Sequence, residues 1–503
     1  MDSTLIIVIL LLYFGLLLTI SFFTSKHSTS NSFFNGDKQS PWYLVAFGMI
    51  GASLSGVTFI SIPGWVGNAA NQFSYMQAVF GYFFGYLIVA YVLLPIYYRL
   101  NVISIYEYLQ NRLGFYSHKT GSILFIVSRI IGASIRLMLV AEVLQYLLFT
   151  KWGIPFEITV VVCIALIWLY TNRGGIKTIV WTDTLQTAFM LASVIITIYF
   201  LKDSIGLVQQ EGLVQSVYQS SYSQIFFFED INSSNHFLKH FFGGIFITIG
   251  MTGLDQDMMQ KNLSCKNIRE GQINMLSMAS TLVFVNLLFL FLGALLYMYA
   301  SEYEVLYEKS DLLFSAIAMH PTSTPLIGIL FLLGLIAAAY SSADSALTSL
   351  TTSIYIDVVP ENFKEKKGQE KIRKFIHLLV SALIILSVIL LHYYTDESAI
   401  GLLMKCAGFT YGPLIGIFFF GILTKRIIKD VFIPIISIVS IVITFVLWYF
   451  SKGAPGSNNL DIALFGNYQF GFEIIILNAI LTFLLILVFS KKQRTELHEN
   501  KSM

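Results

Sequence analysis

The sequence predicts an all-α, polytopic membrane protein, and three observations support this prediction. Hydrophobic residues make up 56% of the 503 residues, and charged residues make up only 12%. Mean hydropathy is +0.73. The charged fraction of a soluble domain is about twice that of this chain. Uncharged apolar runs of bilayer-spanning length recur along the chain, as at 3–23 and within 39–98.

We expect thirteen membrane spans along the chain. Their ranges are 3–23, 42–66, 74–98, 120–149, 155–171, 179–201, 238–259, 273–299, 323–352, 373–393, 397–423, 430–450 and 469–490. The first run follows the acidic Asp2 and has no basic residue before it, so we expect a retained helix rather than a signal peptide.

The distribution of basic residues predicts the orientation of these spans. With the N-terminus outside, 23 of the 31 lysines and arginines fall in inside loops and 5 in outside loops. Cytoplasmic loops carry an excess of lysine and arginine, and one miscounted span would invert every later loop. The sequence therefore predicts a plasma-membrane protein with an outside N-terminus and a cytoplasmic C-terminus.

Composition also argues against several classes of function. A net charge of only +2 gives no support for a nucleic-acid partner. The three cysteines, Cys163, Cys265 and Cys406, have neither paired nor metal-ligand spacing, so we expect no disulfide and no metal cluster. The eight histidines show no ligand spacing either. We therefore expect neither an enzyme nor a bound cofactor.

Two groups of five spans, 42–201 and 238–423, predict an inverted repeat. An odd number of spans gives the two halves opposite orientation, and transporters built this way have broken helices near the midplane. The first span of each half contains a glycine-rich interruption, at 51–56 and 243–253. Such breaks expose carbonyls that can coordinate a cation, whereas the alternative is close helix packing through small residues.

The rest of the chain would then flank this repeat. We expect one extra helix at 3–23, two C-terminal helices within 430–490, and a cytoplasmic tail at 491–503.

A polar stripe in the ninth span predicts a cation site. Ser341, Asp344, Ser345 and Thr348 share one helical face, and hard cations prefer oxygen ligands. The alternative is interhelical hydrogen bonding by serine and threonine. Asp183 lies at a similar expected depth in the sixth span, where it could also be a simple interfacial carboxylate.

Two arginines on one face of the fourth span indicate a buried anion. Arg129 and Arg136 are seven residues apart, and Arg136 lies near mid-membrane. Buried charges are normally paired, so Arg136 needs either a protein carboxylate or a substrate carboxylate. The sequence leaves both alternatives open, together with the roles of Glu142 and Lys405, the latter an ordinary snorkelling candidate.

Six segments in order resemble the sodium:solute symporter family, which includes sodium/glucose cotransporters, the sodium/proline symporter and bacterial sialic acid transporters. The resemblance covers about 3–430, and its segments are 54–63, 104–109, 174–183, 256–261, 340–345 and 412–418. It implies a LeuT-type core of ten helices, one extra helix before it, and sodium as the coupling ion.

The family resemblance also implies site residues. The main sodium site would comprise Gly51, Leu54, Ala338, Ser341 and Ser342. A possible second sodium site would comprise Asp183, Asp344 and Ser345, although the sialic acid transporters have serine at the position of Asp344. The substrate would contact Ser53, Ser55, Thr58, Gln77 and Arg136.

The resulting hypothesis is sodium-coupled symport of a small polar, carboxylate-bearing solute across the lipid bilayer, with sialic acid as the leading candidate. A sugar, an amino acid, another carboxylate or a vitamin would also suit these polar residues. The alternative is a membrane receptor built on a transporter core, which the short polar stretch after residue 490 makes less favourable.

Overall fold

The computed structural model describes residues 3–25, 38–360, 362, 369–395, 399–451 and 466–492, and this part of the chain is mostly helical. We number its apolar helices in chain order. They are α1 Ser3–Ser25, α2 Trp42–Trp65, α3 Tyr75–Leu100, α4 Phe115–Trp152, α5 Phe156–Thr171, α6 Thr178–Ser204, α7 Phe237–Gly253 continued by Gln256–Asn262, α8 Ile268–Glu302, α9 Pro325–Val358, α10 Gln369–Tyr394, α11 Ala399–Leu423, α12 Asp430–Tyr449 and α13 Ile474–Phe489.

Ten of these helices are long and apolar enough to cross a membrane, and α7 makes eleven if its bent halves count as one span. The chain is therefore a multi-pass membrane protein. Each of the thirteen predicted ranges coincides with one helix. However, α13 extends only about 24 Å at the usual rise per residue, less than the hydrocarbon core of about 30 Å. Thirteen crossings therefore remain a prediction.

The chain reverses direction between α5 and α6, although helical geometry continues from Phe156 to Ser204. The side chain of Tyr340 in α9 is hydrogen-bonded to Cys163 of α5. Its neighbour Ser341 is hydrogen-bonded to Asp183 of α6. A straight helix would separate Cys163 from Asp183 by about 30 Å. Both can contact adjacent residues of α9 only if α5 and α6 form a hairpin, as the two predicted spans require.

The two interruptions predicted from glycine content are real breaks. In α2, Ser55 has φ 54° and ψ 174°, a non-helical conformation inside an otherwise helical segment. In α7, the helix widens into a π-turn over Ile249–Gly253, and the chain then bends by 68° before Gln256–Asn262. Asp255 restarts the second half, since its carboxylate accepts the backbone N–H groups of the following turn.

The flanking helices pack onto this core at both ends of the sequence. The hydroxyl of Thr24 in α1 lies 2.7 Å from that of Thr178 in α6. On the other side, α13 packs against α11, where Asn478 donates to the carbonyl of Gly408. A two-residue antiparallel pairing joins Ile427–Ile428 to Ser490–Lys491. The predicted tail at 491–503 lies outside the described residues beyond residue 492.

Candidate solute and ion site

A cavity of about 80 Å³ lies against the break of α2. Helices α2, α3, α4, α7 and α11 contribute its walls. The lining residues are Ala52, Ser53, Ser55, Val57, Thr58, Tyr75, Tyr82, Tyr86, Arg129, Arg136, Ile247, Thr248, Met251, Thr252, Met258, Ile400, Leu403 and Met404. Both broken helices therefore reach the same cavity.

The polar wall of the cavity begins with three residues expected from the sequence. Ser53, Ser55 and Thr58 all line the cavity around the break. The hydroxyl of Ser53 lies 3.4 Å from that of Tyr86. Tyr86 is also hydrogen-bonded to Thr252 of α7, so the two broken helices are linked through one phenol.

Three tyrosines of α3 form a second wall that the sequence analysis missed. Tyr75, Tyr82 and Tyr86 all line the cavity, and the first two are joined by a 3.1 Å contact between their hydroxyls. Their spacings of seven and four residues put them on one face of a helix. That periodicity was a usable signal, because a row of phenols on a single helical face is unusual for a surface exposed to lipid.

Arg136 enters the cavity without a protein anion. Its side chain is only 6% exposed, and it lines the cavity from α4. Among the described residues, none forms an ion pair with its guanidinium, and its Nε has no hydrogen-bond partner. Since buried charges are normally paired, the guanidinium is available to an anion inside the cavity.

Arg129, about two helical turns earlier on α4, is paired with protein carboxylates instead. Its guanidinium is bonded to Asp257 and lies 3.7 Å from a carboxylate oxygen of Asp255. Asp255 also accepts a hydrogen bond of 2.6 Å from the hydroxyl of Tyr411 in α11. This network links α4, α7 and α11, and within the described part of the chain it leaves Arg136 without a carboxylate.

Gln77 does not line the cavity, although it was an expected substrate contact. The side chain is fully buried. Its amide nitrogen donates to the carbonyl of Asn235 at 2.9 Å, and its amide oxygen accepts from the backbone N–H of Phe227 at 3.1 Å. Both ends of the amide therefore bind the segment between α6 and α7. This differs from the expected contact between Gln77 and the substrate.

The residues expected at the main sodium site come from α2 and α9, and both helices contact α6 there. A Cβ added at Gly51 would lie 2.0 Å from Oγ1 of Thr187. One turn earlier on α6, Asp183 accepts a hydrogen bond of 2.7 Å from Ser341. Leu54, Ala338 and Ser342 are also buried. The hydroxyl of Ser342 points back along α9 to the carbonyl of Ala338, 3.4 Å away.

The residues expected at the second sodium site surround an ammonium group. Nζ of Lys261, from the second half of α7, lies 2.8 Å from Asp183 and 2.7 Å from the hydroxyl of Ser345. Asp344 accepts a 3.0 Å hydrogen bond from Tyr170. Lys261 lies beyond the predicted span 238–259 and so within a predicted inside loop, yet it is only 1% exposed.

Two charged residues with open roles lie away from the cavity lining. Glu142 pairs with His392 at 2.8 Å, which ties α4 to α10. The ammonium of Lys405 lies 4.7 Å from the centre of the Trp448 ring, which fits a snorkelling lysine with a cation–π contact.

Comparison with known sequences gives relatives that carry carboxylate-bearing solutes. The sodium-coupled monocarboxylate transporter 1 of Mus musculus is 28% identical over 78% of this chain and 64% of its own length. The sodium/sialic acid symporter of Proteus mirabilis is 23% identical over 89% of this chain and 91% of its own length. The chain thus spans slightly less than two thirds of the mouse relative and nearly all of the bacterial one.

Solved structures give the same fold. A Na+-coupled sialic acid symporter in a substrate-bound outward-open state matches with a TM-score of 0.79 at 19% identity, covering 97% of this chain and 99% of that chain. The nucleobase-cation-symport-1 family transporter Mhp1 matches with a TM-score of 0.52 at 16% identity, covering 92% and 94%. The arrangement of helices is therefore one that sodium- and cation-coupled transporters share.

The sequence profile of the sodium:solute symporter family matches residues 33–430, which is most of the 503-residue chain. The same profile range contains both broken helices, Arg136 and the polar stripe of α9. The chain belongs to the sodium:solute symporter family, whose coupling ion is Na+.

Proposed function

We propose that this protein carries a small carboxylate-bearing solute into the cell together with sodium, by alternating access. The observation that carries the proposal is the guanidinium of Arg136, which has no ion-pair partner among the described residues and lies in a cavity bounded by both broken helices. A solute carboxylate would supply the missing anion, and arginine can bind it through two parallel hydrogen bonds.

Sodium would bind from the outside beside the break of α2. Carbonyls of Gly51, Leu54 and Ala338 and the hydroxyls of Ser341 and Ser342 supply the oxygen chemistry that sodium requires. Asp183, Asp344 and Ser345 form the candidate second ion site, which Lys261 shares. The sodium concentration gradient would drive uptake, and each net positive charge that moves inward with the solute would gain roughly 2.3 kcal/mol per 100 mV of membrane potential in addition.

Contacts at both ends of the cavity support an alternating-access mechanism. On the side proposed to be outside, Asp311 accepts a hydrogen bond from the backbone N–H of Ala399 at the start of α11. The ring of Phe59, which follows the cavity residue Thr58, stacks on that of Phe314 with centroids 5.5 Å apart. On the other side, the ion pairs of Arg129 and Lys261 join three helices. Each set would have to open in turn for a solute to cross.

Sialic acid is the first candidate solute, because of Arg136 and the hydroxyl-rich break of α2. A smaller monocarboxylate is the second candidate, and a specific observation favours it. Gln77 is occupied by backbone partners, and half of the cavity wall is apolar, formed by residues such as Met251, Leu403 and Met404. Such a wall suits a short hydrocarbon tail better than a ring with many hydroxyls.

The test is sodium-dependent uptake by purified protein in proteoliposomes, screened with sialic acid, L-lactate, glucose, proline and biotin. We expect uptake of an acidic solute that requires an inward sodium gradient, and loss of that uptake in Arg136→Ala. Uptake of only neutral solutes, or acidic uptake that survives Arg136→Ala, would contradict the carboxylate role. Sodium-driven accumulation of any solute would exclude a receptor without transport activity.

A further inference from the structure

Lys261 lies among the oxygens that the family resemblance implies for a possible second sodium ion. Its Nζ is 2.8 Å from Asp183, 2.7 Å from Ser345 and 3.6 Å from Asp257. The ammonium therefore has two close oxygen contacts and one longer contact to a second carboxylate. The group is a cation supplied by the chain at a position where an ion was expected.

The oxygens around Lys261 leave little room for a second metal ion. The other carboxylate oxygen of Asp183 already accepts the hydroxyl of Ser341 at 2.7 Å. One oxygen of Asp344 accepts the hydroxyl of Tyr170 at 3.0 Å. A sodium ion bound to Asp183 and Ser345 would therefore lie within a few ångströms of the ammonium. Two cations that close repel strongly in a site as buried as this one.

Asp344 adds negative charge near the ammonium of Lys261. Its second carboxylate oxygen has no hydrogen-bond partner among the described residues, and the side chain is fully buried. An unpaired carboxylate oxygen near a buried lysine increases the cost of moving that lysine away. This arrangement favours keeping Lys261 in place while sodium binds at the main site.

We infer that Lys261 is a built-in cation that takes the place of a second sodium ion, so that one sodium accompanies each solute molecule. This inference rests on the proposed sodium coupling at the main site. It also has an electrical consequence. One sodium ion with one monovalent carboxylate carries no net charge, whereas two sodium ions with the same solute carry one positive charge inward.

The first experiment counts sodium ions bound to the purified wild-type protein. Binding of 22Na+ at saturation, without any solute, is expected to give one ion per chain and a Hill coefficient of about 1. Two ions per chain would overturn the inference and leave sodium coupling intact. No saturable sodium binding would instead contradict the proposed function itself, so the two failures are distinguishable.

Two variants test whether Lys261 causes this stoichiometry. Lys261→Met removes the charge at similar size and is expected to raise bound sodium from one ion per chain to two. Lys261→Arg keeps a cation and is expected to stay at one. Lys239→Met serves as a matched control, since Lys239 is also buried but pairs with Glu473 at 3.9 Å, far from the site. One ion per chain in folded Lys261→Met would overturn the role of Lys261, and the wild-type count decides the matter if that variant does not fold.

Discussion

Arg129 and Arg136 lie seven residues apart on one face of α4, yet only Arg129 is paired with carboxylates among the described residues. Arg129 contacts Asp257 and Asp255, and Arg136 lines the cavity without an ion pair. The same residue type thus has two roles, set by which carboxylates α7 presents to each. One arginine holds helices together, and the other is available to a solute.

The two arginines should respond oppositely to neutral substitution. Arg129→Met leaves buried carboxylates unpaired, and breaking such a pair typically costs about 3–5 kcal/mol. Arg136→Met removes a buried charge that has no ion-pair partner in the described ranges, so it should leave stability unchanged or raise it. Thermal unfolding of both purified variants in detergent checks this, with wild type beside them. Equal destabilisation by both substitutions would show that Arg136 has a structural partner after all.

The break at Ser55 predicts that glycine at this position raises the stability of the folded protein. Ser55 has a φ of 54° with ψ near 180°, a region that only glycine occupies readily, and such strain costs of order 1–3 kcal/mol. Ser55→Gly should therefore raise the unfolding temperature, while the β-branched Ser55→Val should lower it. The neighbouring Ser53→Gly, at a helical position, is the control and should destabilise. A stabilised Ser53→Gly with an unstabilised Ser55→Gly would refute the strain at the break.

Much of this architecture could be predicted because it depends on local composition. Long apolar runs define the spans, and the glycines around Ser55 and before Asp255 weaken the helix where each break occurs. The face shared by Arg129 and Arg136 follows from helical periodicity alone. These features need no knowledge of which helices are neighbours.

The site residues that escaped prediction depend on tertiary contacts. Gln77 was placed by counting along α3, but the segment carrying Phe227 and Asn235 folds over that face and binds its amide. Lys261 was counted as a loop residue, because the 68° bend of α7 that carries it inward cannot be read from composition. Lysine at a helix end usually reaches solvent, and only packing reveals that this one reaches Asp183.

Gly51 predicts a steric test of the approach between α2 and α6. A Cβ at this position would lie 2.0 Å from Oγ1 and 3.1 Å from Cβ of Thr187, so in Gly51→Ala the Thr187 side chain must turn and α6 must shift by a few tenths of an ångström. Overpacking of this kind typically costs about 1–3 kcal/mol. We expect a weaker apparent sodium affinity in uptake, with partial recovery in the double variant Gly51→Ala, Thr187→Ala.

A glycine with free space supplies the control for this test. Gly15 of α1 has no atom within 4 Å of an added Cβ, so Gly15→Ala should leave sodium affinity unchanged. If Thr187→Ala fails to rescue Gly51→Ala at all, the loss of affinity does not arise from this contact.

Ser342 predicts a sodium-specific defect at the main ion site. Its hydroxyl is buried and bonded only weakly, at 3.4 Å, to the carbonyl of Ala338, so it can turn toward an ion. Ser342→Ala should raise the sodium concentration for half-maximal uptake by about tenfold, equivalent to 1.4 kcal/mol, without reducing membrane insertion. The control is Ser349→Ala, about two helical turns later on α9. It removes a similar hydroxyl, which donates to the carbonyl of Ala346. Equal sodium dependence in the two variants would remove Ser342 from the site.

The proposed outer closure at Asp311 predicts that acid favours the closed form. Burial raises the pKa of Asp311 above its ordinary value, although hydrogen bonds from Ala399 and Ser61 partly offset this shift. Opening to the outside would hydrate the carboxyl and return its pKa toward that ordinary value. The closed form therefore binds a proton more readily, and lowering pH through the window between the two pKa values shifts the population toward closure.

The measurement for Asp311 is modification of a cysteine introduced at Thr58, by a membrane-impermeant thiol reagent, in a background without native cysteines. The labelling rate relative to Asp311→Asn is taken at each pH, because the ratio cancels the pH dependence of the thiol itself. This ratio should fall on acidification, since only the ionisable side chain gains closure from added protons. Glu229→Gln, at an exposed carboxylate of the preceding extramembrane segment, should follow the wild type. A ratio that stays constant with pH would mean that Asp311 keeps the same surroundings in both conformations and is not part of the outer closure.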